Sequence, residues 1–155
     1  MVQFSLSPSA DAADLADDIR ELFDDLSRAL DRTQRAYSGE CHPALDVRET
    51  DKTIEVVVDV AGVPAAALRV VFRAGVLLIV GEKAPDAASG DQTFHLVERA
   101  FGRFARAIRL NGAFDLEHAQ ASLVDGEVTV VLPKLEERRG RTHRIPITAA
   151  SSSGA

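Results

Sequence analysis

The sequence predicts an all-β fold, an antiparallel β-sandwich, with an amphipathic helical arm in front of it and a flexible polar tail behind. Three observations predict it. Between Pro43 and Lys134, apolar and polar residues alternate in about eight short runs, the period of half-buried strands. Turn signals such as Ala74-Gly75, Asn111-Gly112 and Asp125-Gly126 separate the runs, and no helical period interrupts them. Strand following strand at this spacing packs as two antiparallel sheets, not as an α/β alternation. The pattern is helical before Pro43 and lost after Lys134. The chain therefore divides into an arm (residues 1–42), a sandwich (43–134) and an extension (135–155).

The arm reads as a helix from Asp11 to about Tyr37. Leu15, Ile19, Leu22, Phe23, Leu26 and Leu30 fall on one helical face. Ser9 or Asp11 can cap its start, and Asp14, Asp17 and Asp18 suit the positive end of its dipole. Asp24 with Arg28, and Asp31 with Arg35, are acid-before-base pairs one turn apart, and Ser38-Gly39 ends the run. The apolar face supports two readings: a helix packed on its own domain, or an arm that meets other chains and unfolding proteins.

In the sandwich, Leu45-Asp46-Val47 is a short first strand. Ile54, Val56, Val58 and Val60 then alternate with Glu55, Val57 and Asp59. After the turn Ala61-Gly62-Val63-Pro64, a third strand alternates Leu68, Val70 and Phe72 with Arg69, Val71 and Arg73. The next run, Val76 to Val80, is apolar on both faces, as expected of a strand inside the sandwich, and Gly81 is expected to stop it. A polar loop from Ala84 to Gly90 leads to a strand-like piece, Gln92-Thr93-Phe94-His95-Leu96, whose edge needs a partner. From Gly102, Phe104, Ile108 and Leu110 face the core, and Arg106 shares their row. A guanidinium there needs a carboxylate or carbonyl partner, or must reach water at an edge. An ion pair across a subunit boundary is one such solution. Residues 119–123 form the next strand, Asp125-Gly126 predicts a type I′ hairpin, and Glu127 to Leu132 return before Pro133.

The extension holds one unusual feature, Ile145-Pro146-Ile147, behind a charged run from Glu136 to Arg144. Proline holds this stretch extended, so the two isoleucines point the same way. Two β-branched side chains in a polar tail want a groove, on this molecule or on a copy of it.

Composition excludes several classes of function. The net charge of −6 argues against a general nucleic-acid binder. One cysteine, Cys41, allows no intramolecular disulfide, and no apolar stretch approaches membrane-spanning length. Met1 to Pro8 lack a basic head and an apolar run, so the expected location is cytoplasmic. Glycine-rich nucleotide motifs are absent, the four histidines are scattered, and Cys41-His42 make a poor metal or nucleophile pair. The expectation is a non-enzyme without cofactor, metal or nucleotide.

The order of features resembles the small heat-shock protein, or α-crystallin/Hsp20, family, of the bacterial and plant type. The residues that carry the resemblance are Asp46-Val47-Arg48-Glu49, Ala61-Gly62-Val63, Leu78 to Lys83, Glu98 to Arg106, Ala121 to Gly126, Val131-Leu132-Pro133-Lys134 and Ile145-Pro146-Ile147. The resemblance implies an immunoglobulin-like sandwich, the α-crystallin domain, and an ATP-independent holdase that forms homo-oligomers and binds unfolding client proteins. It also implies that Gln92 to Leu96 is a strand exchanged with a dimer partner and that Arg106 is an interface arginine paired with a carboxylate. By the same resemblance, Ile145 and Ile147 would fill a groove made by Leu68, Val70, Phe72, Ala121 and Leu123. Ala61 and Asn111 stand where the family commonly has proline. The alternative is a non-chaperone interaction scaffold of CS/p23-like type, whose members typically lack both the tail motif and the long loop.

Overall fold

A computed structural model describes residues 11–29, 41–85 and 91–136. Leu30, the expected helical stretch beyond it, and the tail with Ile145, Pro146 and Ile147 lie outside the described residues. Helix α1 spans Asp11–Ala29. Among the described residues seven strands follow: β1 (Leu45–Glu49), β2 (Thr53–Asp59), β3 (Leu68–Arg73), β4 (Val76–Lys83), β5 (Gly102–Arg109), β6 (Gln120–Val124) and β7 (Glu127–Pro133). They form two antiparallel sheets, β1-β2-β7-β6 and β3-β4-β5. The expected sandwich is present, and a single 3₁₀ turn, Ala65–Ala67, stands between β2 and β3 where only a turn was expected.

The core lies between the sheets. Ile54, Val56 and Val58 of β2 and Val128, Val130 and Leu132 of β7 meet Leu77 and Ile79 of β4 and Phe104 and Ile108 of β5. These are the inward positions of the period-two pattern, so strand identity and face both follow from alternation. Asp125 and Gly126 have φ of 51° and 78°, the two positive values a type I′ turn requires. Ala74 and Gly75 repeat this geometry with φ of 50° and 78°, which puts a Cβ in the left-handed region.

One expectation is corrected. Gly81 does not end its strand; β4 continues to Lys83, and Gly81 is where Phe104 and Leu68 crowd closest to the backbone. Residues 92–96 form no strand in the single chain, and neighbouring side chains there stand in solvent, with Phe94 70 % and Leu96 75 % exposed. An edge segment with no second edge beside it has no ladder to join.

In the single chain the helix is packed on its own domain, its apolar face on the outer face of β3-β4-β5. Leu26 is buried against Leu78 and Val80, with Leu15, Ile19, Leu22 and Phe23 partly buried around it. The sandwich thus has a third layer on one side.

Candidate functional site

Each sheet ends in an edge strand, so the sandwich has two seams. One lies between β3 and β6, the other between β5 and β1. Their chemistry differs.

The β3–β6 seam is open and apolar. A groove of about 280 Å³ is lined by Val70 and Phe72 of β3, Ala121 and Gln120 of β6, Leu116 and Ala119 before β6, and Leu77, Val130 and Leu132 at its floor. Strand period explains the lining: Val70 and Phe72 are inward residues of an edge strand, so no third strand covers them. Of the five residues expected to form this groove, Val70, Phe72 and Ala121 line it. Leu68 is buried in the core instead, and Leu123 is half-buried against the core. Leu116, 48 % exposed, was missed because it belongs to no strand. It is held by a side-chain turn: Asp115 accepts from the His118 backbone N–H at 3.3 Å, and the His118 ring Nδ1 lies 2.7 Å from Asp115 Oδ2. The hydrogen bond from the His118 ring holds the Asp115 carboxyl below the ordinary carboxylate range. Behind the groove, Phe114 meets Phe72 edge-on at 5.6 Å between ring centres.

The β5–β1 seam is closed by Arg106. Its guanidinium, on the core-facing row as expected, donates from Nη1 to the carbonyl oxygen of Pro43, just before β1. Among the described residues of the single chain, its hydrogen-bond partner is a backbone carbonyl. A carbonyl at the seam satisfies the cation without a second buried charge.

The described arm residues, Leu15, Ile19, Leu22, Phe23 and Leu26, are gathered on one face as expected, but that face is occupied. Sequence reasoning missed the polar contacts that surround it. Arg69 Nε of β3 pairs with Asp25 Oδ2 at 2.8 Å, and Arg73 Nη1 pairs with Asp18 Oδ1 at 2.5 Å. Arg103 of β5 donates to Ser27 Oγ at 3.0 Å and lies 5.3 Å from the centre of the Phe23 ring. The available signal was the run Val76 to Val80. A strand in a two-layer sandwich needs only one apolar face, and the second called for a covering element.

Among the described residues no group of His, Cys, Asp and Glu could hold a metal ion, and no helix is long and apolar enough to cross a membrane.

Residues 46–148 match the model of the Hsp20/alpha crystallin family. The chain is 32 % identical over 123 residues to heat shock protein 16 of Schizosaccharomyces pombe, covering 77 % of this chain and 85 % of that protein. It is 28 % identical over 137 residues to the 16.9 kDa class I heat shock protein 1 of Triticum aestivum, covering 88 % and 91 %. The solved structure of heat shock protein 16.0 from Schizosaccharomyces pombe superposes with a TM-score of 0.61 at 32 % identity, over 70 % of this chain and 100 % of that one. A small heat-shock protein from Xylella fastidiosa, described with a distinct high order structure, gives 0.57 at 26 % identity, over 71 % and 97 %.

Proposed function

The chain belongs to the Hsp20/alpha crystallin family, and on that premise we propose that it is a cytoplasmic, ATP-independent holdase. In this reading it assembles into homo-oligomers and binds unfolding proteins through apolar surfaces. The observation that carries it is the open apolar groove between β3 and β6. A surface of this kind, on a chain with no nucleotide motif, is suited to holding extended apolar segments and not to chemistry. Its volume is at the small end of ligand clefts, which run from about 300 Å³ upward.

In the resting assembly Ile145 and Ile147 fill that groove on a neighbouring copy. Each buried isoleucine contributes about 1.5–3 kcal/mol before ordering costs, and Pro146 lowers those costs by holding the segment extended. Repeated copies add avidity. Residues 92–96 pair with the sandwich edge of a second copy, which supplies the ladder the single chain lacks. The exposure of Phe94 and Leu96 supports this. Heat loosens the small tail contacts first and opens the grooves to clients.

The test is light scattering of a heated, aggregating protein in nucleotide-free buffer, with and without the chain. Suppression that grows with temperature is expected. No suppression at several-fold excess would favour the CS/p23-like scaffold reading. Changing Ile145 and Ile147 to Ala should reduce the native mass to dimers or similar small species, and an unchanged mass would remove the tail from the assembly.

A further inference from the structure

The outer face of β3-β4-β5 has an apolar centre and a basic rim. Leu78 and Val80 of the central strand are 3 % and 0 % exposed, covered by α1 and not by the other sheet. Register places Arg69 opposite Val80, and Val80 opposite Ala105, so the apolar row begins at an arginine. Arg73 stands four residues along β3, on the same face, and Arg103 lies on β5 at the other side, with Glu82 beside it at 3.4 Å. The helix seated here is matched to that frame. It carries seven acids and two arginines, net −5. The whole chain carries −6, so everything outside α1 sums to only −1. Its leucines enter the centre, and its acids meet the rim at Arg69 and Arg73.

We propose that this face is a docking surface for acidic amphipathic helices, that α1 is its intramolecular occupant, and that release of α1 hands the face to an acidic amphipathic helix of a client. Two features carry this: the helix already seated there, and the charge complementarity of its acids with the arginine rim. The client part rests on the holdase reading. The rim selects: aspartates one turn to either side of a leucine stripe find guanidinium partners, whereas lysines there meet arginines. The tether gives α1 an advantage of roughly millimolar effective concentration, so a client helix enters only when the arm is loosened.

The test uses the full-length chain and three fluorescent synthetic peptides, with binding read by anisotropy in about 0.15 M salt, where long-range attraction to the acidic chain is screened. One peptide has the sequence of Asp11–Ala29. The second is an unrelated helix with leucines at the same spacing and aspartates beside them. The third has those leucines with lysines. Asp18→Asn with Asp25→Asn weakens the tethered occupant and leaves the arginines in place. Both acidic peptides should bind this variant about fivefold more tightly than the wild type, the effect of two exposed ion pairs, and the lysine peptide should not. Adding Arg69→Glu and Arg73→Glu should turn the preference to the lysine peptide, a switch that a misfolded chain would not produce. Equal binding of acidic and lysine peptides to the variant would overturn the selectivity. Binding of the Asp11–Ala29 peptide alone would make the occupant the arm of another copy and overturn the client assignment. No aggregating protein is involved, so a failed holdase assay with charge-selective peptide binding would refute the holdase reading and with it the client assignment, and would leave the docking surface for acidic helices standing.

Discussion

Gly81→Ala is the most direct test of how the sandwich is packed. A methyl at this position would lie 2.4 Å from Phe104 Cζ, 2.9 Å from Phe104 Cε1 and 2.9 Å from Leu68 Cδ2. Carbon contacts are comfortable at about 3.5–4.0 Å, so the shortfall is roughly 1 Å against the ring. Phe104 is 3 % exposed and Leu68 9 %, and neither has open space to retreat into. The ring must leave its rotamer or the sheets must part, and overpacking of this kind destabilises by about 1–3 kcal/mol. For a domain of this size each kcal/mol moves Tm by about 4–8 °C, so Tm should fall by about 4–24 °C. Thermal unfolding followed by circular dichroism reads this, at one fixed protein concentration because assembly shifts the apparent Tm. Phe104→Leu removes the atoms that clash. The double variant should therefore be more stable than the sum of the single changes predicts, by about 1 kcal/mol or more. A Gly81→Ala chain that melts with the wild type, or strict additivity with Phe104→Leu, would refute the packing argument.

Leu26→Ala should cost about 2–3 kcal/mol of arm docking, seen as faster hydrogen exchange in α1 while the exchange of β4 amides is unchanged. Arg106→Ala removes a charge-assisted hydrogen bond to the Pro43 carbonyl, and urea titration should show a loss of about 1–2 kcal/mol. Ala74→Asn relieves a left-handed alanine in the type I′ turn, and should raise stability by about 0.5 kcal/mol in the same titration. Asp115 has a lowered pKa, so the stability its carboxylate contributes is present above the ordinary carboxylate range and is lost as pH falls through the lowered value. In His118→Ala, an NMR titration of the Asp115 carboxyl should find its midpoint moved upward, toward the ordinary range.

What was legible in the sequence was face, and what was not was partner. Period two placed Val56 and Val58 inward and Arg69 and Arg73 outward without error, because alternation is a local property of extended backbone. It could not say that Arg73 meets Asp18, a residue 55 positions away, since nothing local distinguishes a solvated arginine from one beneath a helix. The same limit applies to Arg106, whose row was legible while the choice between carboxylate and carbonyl was not. Gly81 was misread because glycine weakens a strand wherever it stands. Its place in β4 follows from the approach of Phe104, a contact between strands that one strand does not record. The groove was legible to the strands that flank it, and Leu116 was not, because the Asp115–His118 turn that holds it follows no hydrophobic period.

Strand β3 serves both surfaces, and its period is the reason. Val70 and Phe72 point inward to line the groove, while Arg69 and Arg73 point outward to hold α1. Among the described residues, the ladder holds β3 on one side only, by β4, from Leu68–Gly81 to Arg73–Val76. Groove and arm seat are therefore two faces of one edge strand, and the alternation of its residues keeps apolar lining and cationic rim apart.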